Sequence, residues 1–179
     1  FFTYNLYGYS MISTKRARSL LRVIRESDAD IIALQEVSGW FLALLDRAGD
    51  LKGYHRSWPA GKSSPPGKVL ILSRYTLEDV DYLKLPGRDK RYVCLVTVTA
   101  GGERLRVANL HLTSTLEGVR DRLRQLDLIH GKIHPAEPFV LVGDYNFGDR
   151  SPESGWMEGT GAADLWRELR PGRKGHTWD

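Results

Sequence analysis

Four candidate strands of this sequence end in polar residues that a core strand would normally avoid. These residues are Asn5 in TYNL, Glu36 in LQEV, Asn109 and His111 in NLHL, and Asp144 and Asn146 in GDYN. Taken singly, each residue type has an ordinary structural role, such as capping a turn, pairing with an arginine or being a satisfied core histidine. Taken together, they indicate strand ends that converge on one edge of a sheet, where α/β proteins place their chemistry.

The residue types favour metal-assisted hydrolysis of a phosphate ester. The sequence has no GxxxxGK phosphate loop and no Cys/His grouping with zinc spacing, and no Ser-His-Asp order stands out. Carboxylates with amide oxygens suit Mg²⁺, with Mn²⁺ as the alternative ion. We therefore predict that Glu36 binds the metal with help from Asn5, and that Asp144 orients or deprotonates the attacking water. Hydrogen bonds to phosphoryl oxygens are predicted from Asn109, His111 and Asn146.

Hydrophobic periodicity predicts the elements that position these residues. Helices are expected at about 13–27, 38–48 and 117–133, and a short one within 162–169. The third helix should place Val119, Leu123, Leu126, His130 and Ile133 on one stripe, with His130 as a packed or half-exposed helix residue in preference to a ligand. Strands are expected in TYNLYG and DIIALQEV, at 69–74, about 80–85, 91–100 and 104–112, and in PFVLVGDYNF at 138–147. Gly101-Gly102 indicates a hairpin, and Asp144 and Asn146 should point to one side of an extended strand.

Composition indicates one soluble domain over residues 1–179. The chain has 41% hydrophobic residues and no apolar stretch near the ~20 residues of a membrane helix. A net charge of +4 mildly favours anionic partners, although the arginines of the first helix are interpreted as a solvated face in preference to a nucleic-acid patch. The single cysteine, Cys94, is expected to be a small buried hydrophobe. Without an initiator Met or a signal-peptide pattern, the chain is interpreted as a fragment, with oligomeric state and localisation open.

The ordered series TYNL, LQEV, ILSR at 71–74, NLHL and GDYN resembles the endonuclease/exonuclease/phosphatase superfamily, and the resemblance spans nearly the whole chain. It implies a four-layer α/β/β/α sandwich of two mixed sheets, formed by a single catalytic domain. It also implies Mg²⁺-dependent hydrolysis of phosphoesters.

A branch of the superfamily is indicated by two further motifs. HLTST at 111–115, followed by a helix with Arg120, Arg122 and Gln125, is similar to the HLxST stretch of 5′-tyrosyl-DNA phosphodiesterases, and the terminal TWD resembles another of their motifs. The resemblance implies DNA 5′ ends with tyrosyl adducts as the substrate, and hence an intracellular location in the nucleus or cytoplasm. The resemblance implies that Glu36 binds the metal and that Asn5 is the superfamily's first-strand asparagine. It implies that Asp144 and Asn146 are the catalytic pair. Ser114 and Thr115 would lie near the bound phosphate, and Trp178 would line the DNA groove.

Two departures from the branch pattern stand out. Leu116 occupies a position where an arginine is usual, so the missing contact is expected from Arg120 or another residue. The superfamily's SDH motif is absent, and none of the five histidines stands in such a motif. The domain is therefore expected to be incomplete at its C-terminus, with an unpaired sheet edge that invites association.

Two other functions are compatible with the same residues. One is hydrolysis of a different phosphoester by an abasic endonuclease, a general nuclease or a lipid phosphodiesterase, since surrounding loops select the substrate. The other is a non-catalytic module that keeps a phosphate-binding surface.

Overall fold

The computed structural model describes residues 1–8, 14–49, 51–133, 137–175 and 177. It separates into two compact units, residues 1–146 and 147–179, and each is described here by itself. The first unit carries all the strands of the described chain, in two sheets of four strands each.

The first sheet contains the strands β1 (Phe2–Asn5), β2 (Ile31–Gln35), β3 (His55–Arg56) and β4 (Leu70–Ser73). Their order in the sheet is β1-β2-β4-β3, with β1 parallel to β2 and the other pairs antiparallel. Every residue of β2 is buried, as the unbroken apolar run predicts for a strand covered on both faces.

Two helices cover one face of this sheet. Helix α1 (Thr14–Glu26) connects β1 to β2, and its residues Ala17, Leu20, Leu21 and Ile24 are buried at helical spacing. Helix α2 (Gly39–Ala48) begins at Ser38, whose hydroxyl accepts a hydrogen bond from the Phe41 N–H, and ends at Gly49 in the left-handed conformation. Both helices pack with Ile32, Leu34, Leu70 and Leu72 of the sheet in one apolar core.

The second sheet contains β5 (Leu77–Lys84), β6 (Tyr92–Ala100), β7 (Glu103–His111) and β8 (Phe139–Asp144), in that order. The first three strands are antiparallel, and β8 is parallel to β7. The predicted hairpin is confirmed, because Gly101 and Gly102 have φ of 61° and 87° between β6 and β7. Helix α3 (Val119–His130), preceded by a 3-10 turn at Leu116–Gly118, makes the crossover from β7 to β8.

A second apolar core joins the two sheets face to face. It contains Ile31, Val69 and Ile71 from the first sheet side and Cys94, Val96, Val98 and Val107 from the second. Because this core occupies the inner face of the second sheet, α3 lies on its outer face. The predicted four-layer sandwich of two mixed sheets is confirmed. Cys94 is fully buried, as expected, and burial raises the pKa of its thiol to about 11.

The buried face of α3 differs from the predicted apolar stripe. The helix buries Arg122, Gln125, Leu126 and Ile129, whereas His130 is exposed. Leu126 and Ile133 of the predicted stripe are buried. The rest of the inner face differs because the prediction counted apolar residues alone, while two long polar side chains lie there with hydrogen bonds to the neighbouring loop. These bonds hold a loop described in the next subsection.

Strand β8 is also less enclosed than the apolar run in PFVLVGDYNF indicates. It lies at the end of the second sheet, and all six of its residues are only half-buried. Its second edge pairs with no strand in the described part of the chain.

The second unit contains α4 (Pro152–Gly159) and α5 (Leu165–Leu169). Ser151 caps α4 and Asp164 caps α5, each accepting hydrogen bonds from first-turn N–H groups. Helix α5 lies within the predicted 162–169 segment, and α4 was not predicted. No helix in the described ranges is long and apolar enough to cross a membrane.

Gly143→Ala should destabilise the fold, because β8 approaches β7 too closely there for a side chain. A Cβ on Gly143, which has φ of 138°, would lie 2.0 Å from the Leu110 carbonyl oxygen. We expect a loss of about 2 kcal/mol or more in the free energy of unfolding, measured by denaturant titration. Gly155→Ala is the matched control, since nothing lies within 4 Å of its Cβ position and it lies within helix α4. Equal stability of the two variants would contradict the close approach.

Candidate active site

Two pairs of parallel strands end at the same edge of the sandwich. In the first sheet Asn5 is in register with Gln35, directly before Glu36, and in the second His111 is in register with Asp144. Strand β1 lies beside β8, so the ends of the two sheets are neighbours. This topology brings the predicted polar residues together.

The side-chain amide of Asn5 connects the two carboxylates of the site. Its Nδ2 donates to Glu36 Oε1 at 3.2 Å and to Asp144 Oδ2 at 2.7 Å, and its Oδ1 accepts from the Tyr7 N–H at 2.9 Å. Glu36 follows a strand of the first sheet and Asp144 ends a strand of the second. One nitrogen therefore holds two carboxylates from different sheets close to each other.

Glu36 is held in a strained backbone conformation. It has φ of 57°, which is uncommon for a residue with a side chain and costs on the order of 1–3 kcal/mol. Its Oε2 accepts a hydrogen bond from the Gly8 N–H at 2.9 Å, and Gly8 approaches so closely that a Cβ there would lie 2.2 Å from the Glu36 carbonyl oxygen. Glu36 itself is 9% exposed, so its carboxylate is fixed at the edge of the sheet.

Asp144 and Asn146 form a turn at the end of β8. Asp144 Oδ1 accepts from the Asn146 N–H at 3.0 Å, and Asn146 Nδ2 donates to the Leu112 carbonyl oxygen at 2.9 Å. Because Asn146 has φ of 54°, the chain is not extended there, and the expectation that both side chains point to one side of a continuing strand is wrong. The turn fixes the Asp144 carboxylate, and the Asn146 amide nitrogen is used within the fold.

His111 lies against an arginine that the sequence did not single out. Arg91 Nη1 is 2.9 Å from Nδ1 and 3.0 Å from Nε2 of the imidazole, and Arg91 Nη2 donates to Ser114 Oγ at 3.0 Å. His111 Nε2 is also 3.7 Å from Asp144 Oδ2. Burial, together with the Arg91 charge, lowers the pKa of His111 from 6.5 to about 4, so the imidazole is neutral at neutral pH.

Two side chains from the inner face of α3 hold the loop that follows β7. Gln125 accepts from the Thr113 N–H at 3.1 Å and donates to Thr113 Oγ1 at 2.9 Å and to the Pro86 carbonyl at 2.7 Å. Arg122 donates to the carbonyl oxygens of Thr113 and Thr115 at 3.0 and 2.7 Å. Ser114 and Thr115 are thus presented at the surface by a loop whose backbone is fixed from beneath.

Asn109 does not lie where the predicted substrate contact would place it, because its amide is used entirely inside the sandwich. It is fully buried, and its Nδ2 donates to the carbonyl oxygens of Leu34 and Leu70 at 3.0 and 2.9 Å. Its Oδ1 accepts from Gln35 Nε2 at 2.8 Å. The amide therefore joins the two sheets and has no group left for a phosphate.

The remaining predicted residues lie away from this cluster or outside the described chain. Arg120 is exposed in the first turn of α3, and Leu116 before it is 91% exposed. Trp178 lies outside the described residues. The residues that the structure does bring together are Asn5, Glu36, Arg91, His111, Asp144 and Asn146, with Ser114 beside Arg91.

The donor set fits Mg²⁺ better than a cation that needs a full cage of protein ligands. Among the described residues no group of three or more acidic, His or Cys side chains could hold a metal ion. Mg²⁺ is typically held by one or two carboxylates and completes its shell with water and phosphate oxygens, which matches Glu36 and Asp144. Asn5 presents its nitrogen, which cannot ligate a cation, so the geometry supports an orienting role for Asn5 and not the predicted ligation through oxygen.

A sequence model of the Endonuclease/Exonuclease/phosphatase family matches residues 2–179. Tyrosyl-DNA phosphodiesterase 2 from Mus musculus is 25% identical over 193 residues, covering 100% of this chain and 50% of that protein. The protein of the same name from Homo sapiens is 25% identical over 191 residues, covering 99% and 50%. The chain spans about half the length of these curated relatives.

Solved structures share the fold. TDP2 from D. rerio, complexed with a single-strand DNA product, superposes with a TM-score of 0.76 at 21% identity, over 97% of this chain and 70% of that one. Sphingomyelinase C from Streptomyces griseocarneus gives a TM-score of 0.69 at 22% identity, over 89% and 68%.

Arg91→Gln should raise the pKa of His111, because it removes a positive charge that disfavours the imidazolium. Since the fold lowers this pKa, the stability that the neutral imidazole contributes is present above pH 6.5 and is lost as the pH falls towards about 4. The variant should lose less stability over that interval. NMR titration of the imidazole and denaturation at several pH values measure both effects. Arg88→Gln, in the same loop and exposed, is the control, and an unchanged His111 pKa in the Arg91 variant would refute the contact.

Asn109→Ala should lower the free energy of unfolding by about 2–4 kcal/mol, because it leaves a void and unpaired polar groups between the sheets. Ser114→Ala, at an exposed position, should change it by about 0.5 kcal/mol or less. Chemical denaturation of the two variants provides the comparison. A stable Asn109→Ala protein that had lost only substrate affinity would restore the original prediction.

Proposed function

This chain belongs to the Endonuclease/Exonuclease/phosphatase family, and on that premise we propose that it is the catalytic part of a metal-dependent phosphodiesterase that acts on DNA 5′ ends. The observation that carries this proposal is the Asn5 amide, which holds Glu36 and Asp144 together across the two sheets. A structural ion pair would place a cation between two carboxylates, whereas here a neutral amide leaves their charges uncompensated and available to a bound cation.

Glu36 and Asp144 are the proposed metal-holding residues, with Mg²⁺ as the ion and Mn²⁺ as the alternative. The bound ion would supply neutralisation of the phosphate charge and a more acidic bound water. Asn5 orients both carboxylates through its N–H groups, and Gly8 fixes Glu36 through its backbone N–H.

Asp144 also has the geometry of a group that orients the attacking water. Its Oδ1 and Oδ2 each accept one hydrogen bond, from the Asn146 N–H and from Asn5, and a carboxylate oxygen has a second lone pair for a further donor. Asn146 thus acts by shaping the turn that aims Asp144. The neutral His111 beside it can donate a hydrogen bond to a phosphoryl oxygen without competing for the metal's charge.

Arg91 and Ser114 form the phosphate-facing side of the proposed site. The guanidinium of Arg91 carries a positive charge and lies next to the exposed hydroxyl of Ser114. Arg122 and Gln125 keep the loop in place, so this side needs no rearrangement to receive an anion.

A tyrosyl adduct on a DNA 5′-phosphate is the proposed substrate. Its support is the HLTST loop and the similarity to proteins that are named tyrosyl-DNA phosphodiesterase 2. Thr115, Arg120 and Trp178 are proposed contacts of the DNA strand beyond the phosphate. DNA repair is the corresponding biological role.

In the full-length protein, Glu36→Ala and Asp144→Asn should each reduce release of tyrosine from a 5′-phosphotyrosyl oligonucleotide by about 100-fold or more. Both remove a charge on which metal binding and water activation depend. Steady-state assays with Mg²⁺, and again with excess chelator, measure the effect.

Glu103→Gln is the control, since this carboxylate is exposed at the start of β7. Activity that survived both substitutions or excess chelator would overturn the mechanism. Hydrolysis of an abasic-site duplex or of sphingomyelin, with the phosphotyrosyl oligonucleotide left intact, would keep the hydrolase and overturn the substrate. Binding of the oligonucleotide without hydrolysis of any of them would favour the phosphate-binding module.

A further inference from the structure

The positive charge of this chain is concentrated in one helix. Helix α1 carries five basic residues and one acidic residue, a net charge of +4 that equals the formal net charge of all 179 residues. The acidic residue is Glu26, whose Oε1 lies 3.9 Å from Arg22 Nε with both side chains more than 60% exposed. An ion pair this long and this exposed is weak.

Four of these basic residues form a line along the exposed side of α1. Lys15, Arg18, Arg22 and Arg25, here called the basic strip, are spaced three, four and three residues apart, which places them on one face of the helix. Together with Arg47 from the last turn of α2, the basic strip lines a groove of about 630 Å³ between the two helices. Among the described residues that line this groove, none is acidic.

The first part of the basic strip opposes the stability of the helix that carries it. Like charges at i and i+4, such as Arg18 and Arg22, repel each other. Lys15 lies in the first turn, where the helix dipole disfavours a cation. A solvated face would be expected to mix charges of both signs, so the arrangement is better explained by an anionic partner that relieves the repulsion.

We propose that the basic strip and Arg47 bind the phosphate backbone of a single DNA strand. Guanidinium groups match phosphate oxygens in bidentate geometry, and a line of cations suits a line of phosphates. The basic strip is about 15 Å long by helical rise, enough for roughly four or five stacked nucleotides.

The position of α1 connects the basic strip to the candidate active site. Arg16, in the first turn, donates to the Leu6 carbonyl oxygen at 3.4 Å, and its guanidinium lies 5.7 Å from the centre of the Tyr7 ring. Both contacts are to the segment that directly follows Asn5. The basic strip therefore starts at the end of the sandwich that holds the site and runs away from it, as a path for a strand that extends beyond the 5′ end would.

The test is fluorescence anisotropy of the full chain with labelled oligodeoxythymidine of about 20 nucleotides, in excess chelator so that hydrolysis is not required. This inference rests on the proposed function only for the choice of DNA as the probe. The variant Lys15→Gln/Arg18→Gln/Arg22→Gln should bind about 10-fold or more weakly at low salt. Its log–log salt dependence should be shallower by about 2, at roughly 0.7 per lost phosphate contact.

Lys52→Gln/Lys62→Gln/Lys132→Gln is the matched control, because it removes the same charge from exposed positions outside the groove. Control binding within about twofold of wild type, with circular dichroism of both variants unchanged, would support the basic strip. Equal weakening of both triple variants would overturn it, since net charge alone would then explain binding. Wild-type protein that bound polyglutamate or phosphatidylserine vesicles and left the oligonucleotide free would also overturn it. If the triple variant of α1 unfolds, the single variant Arg18→Gln takes its place. An unchanged salt dependence of DNA binding in that variant would overturn the proposal.

Discussion

The buried amide pair of Asn109 and Gln35 fixes how the two sheets sit on each other. Asn109 belongs to β7 of the second sheet, and its bonds reach Leu34, Gln35 and Leu70 of the first. Sliding one sheet over the other by a single residue would leave these buried groups unpaired, at a cost of about 1–3 kcal/mol for each. The apolar core between the sheets is not directional and could tolerate such a shift. The amide pair therefore gives the sandwich a single alignment at the end where the chemistry is proposed.

That alignment makes the Asn5 bridge possible. Asn5 and Glu36 are carried by the first sheet and Asp144 by the second, and hydrogen bonds of 3.2 and 2.7 Å to one nitrogen tolerate little displacement. The backbone is strained where it delivers these groups, with Glu36 and Asn146 both at positive φ. Strain of this kind persists only where the surrounding structure holds the backbone in place. Here the close backbone approaches of Gly8 and Gly143 supply that constraint.

The sequence was sufficient to predict most of the elements, though not β3 or α4, and the edge where the polar residues meet. Alternating and unbroken apolar runs specify strands such as β2 and β6, and parallel pairing then places their polar ends together. The sequence did not single out Arg91, because the β6–β7 hairpin brings the start of β6 near His111 but does not specify which side chain contacts the imidazole. It also misassigned Asn109, since an amide in a strand looks the same whether it faces a ligand or the opposite sheet. The prediction for the buried face of α3 was incomplete for a related reason, because hydrophobic periodicity treats Gln125 as an exposed residue.

The charges of the site and those of helix α1 both affect how an anionic substrate could approach the two carboxylates. Two carboxylates held by a neutral amide repel a phosphate, so an anionic substrate can approach only if cations outweigh them. Arg91 supplies one such charge inside the site, and burial keeps His111 from adding another. A divalent ion held by Glu36 and Asp144 would supply the rest at short range. Outside α1 the chain has a net formal charge of zero, and the charge of α1 itself is screened beyond roughly 8–10 Å. The basic strip can therefore attract a strand only along its own length. The direction in which α1 runs from the site would then help to orient the substrate.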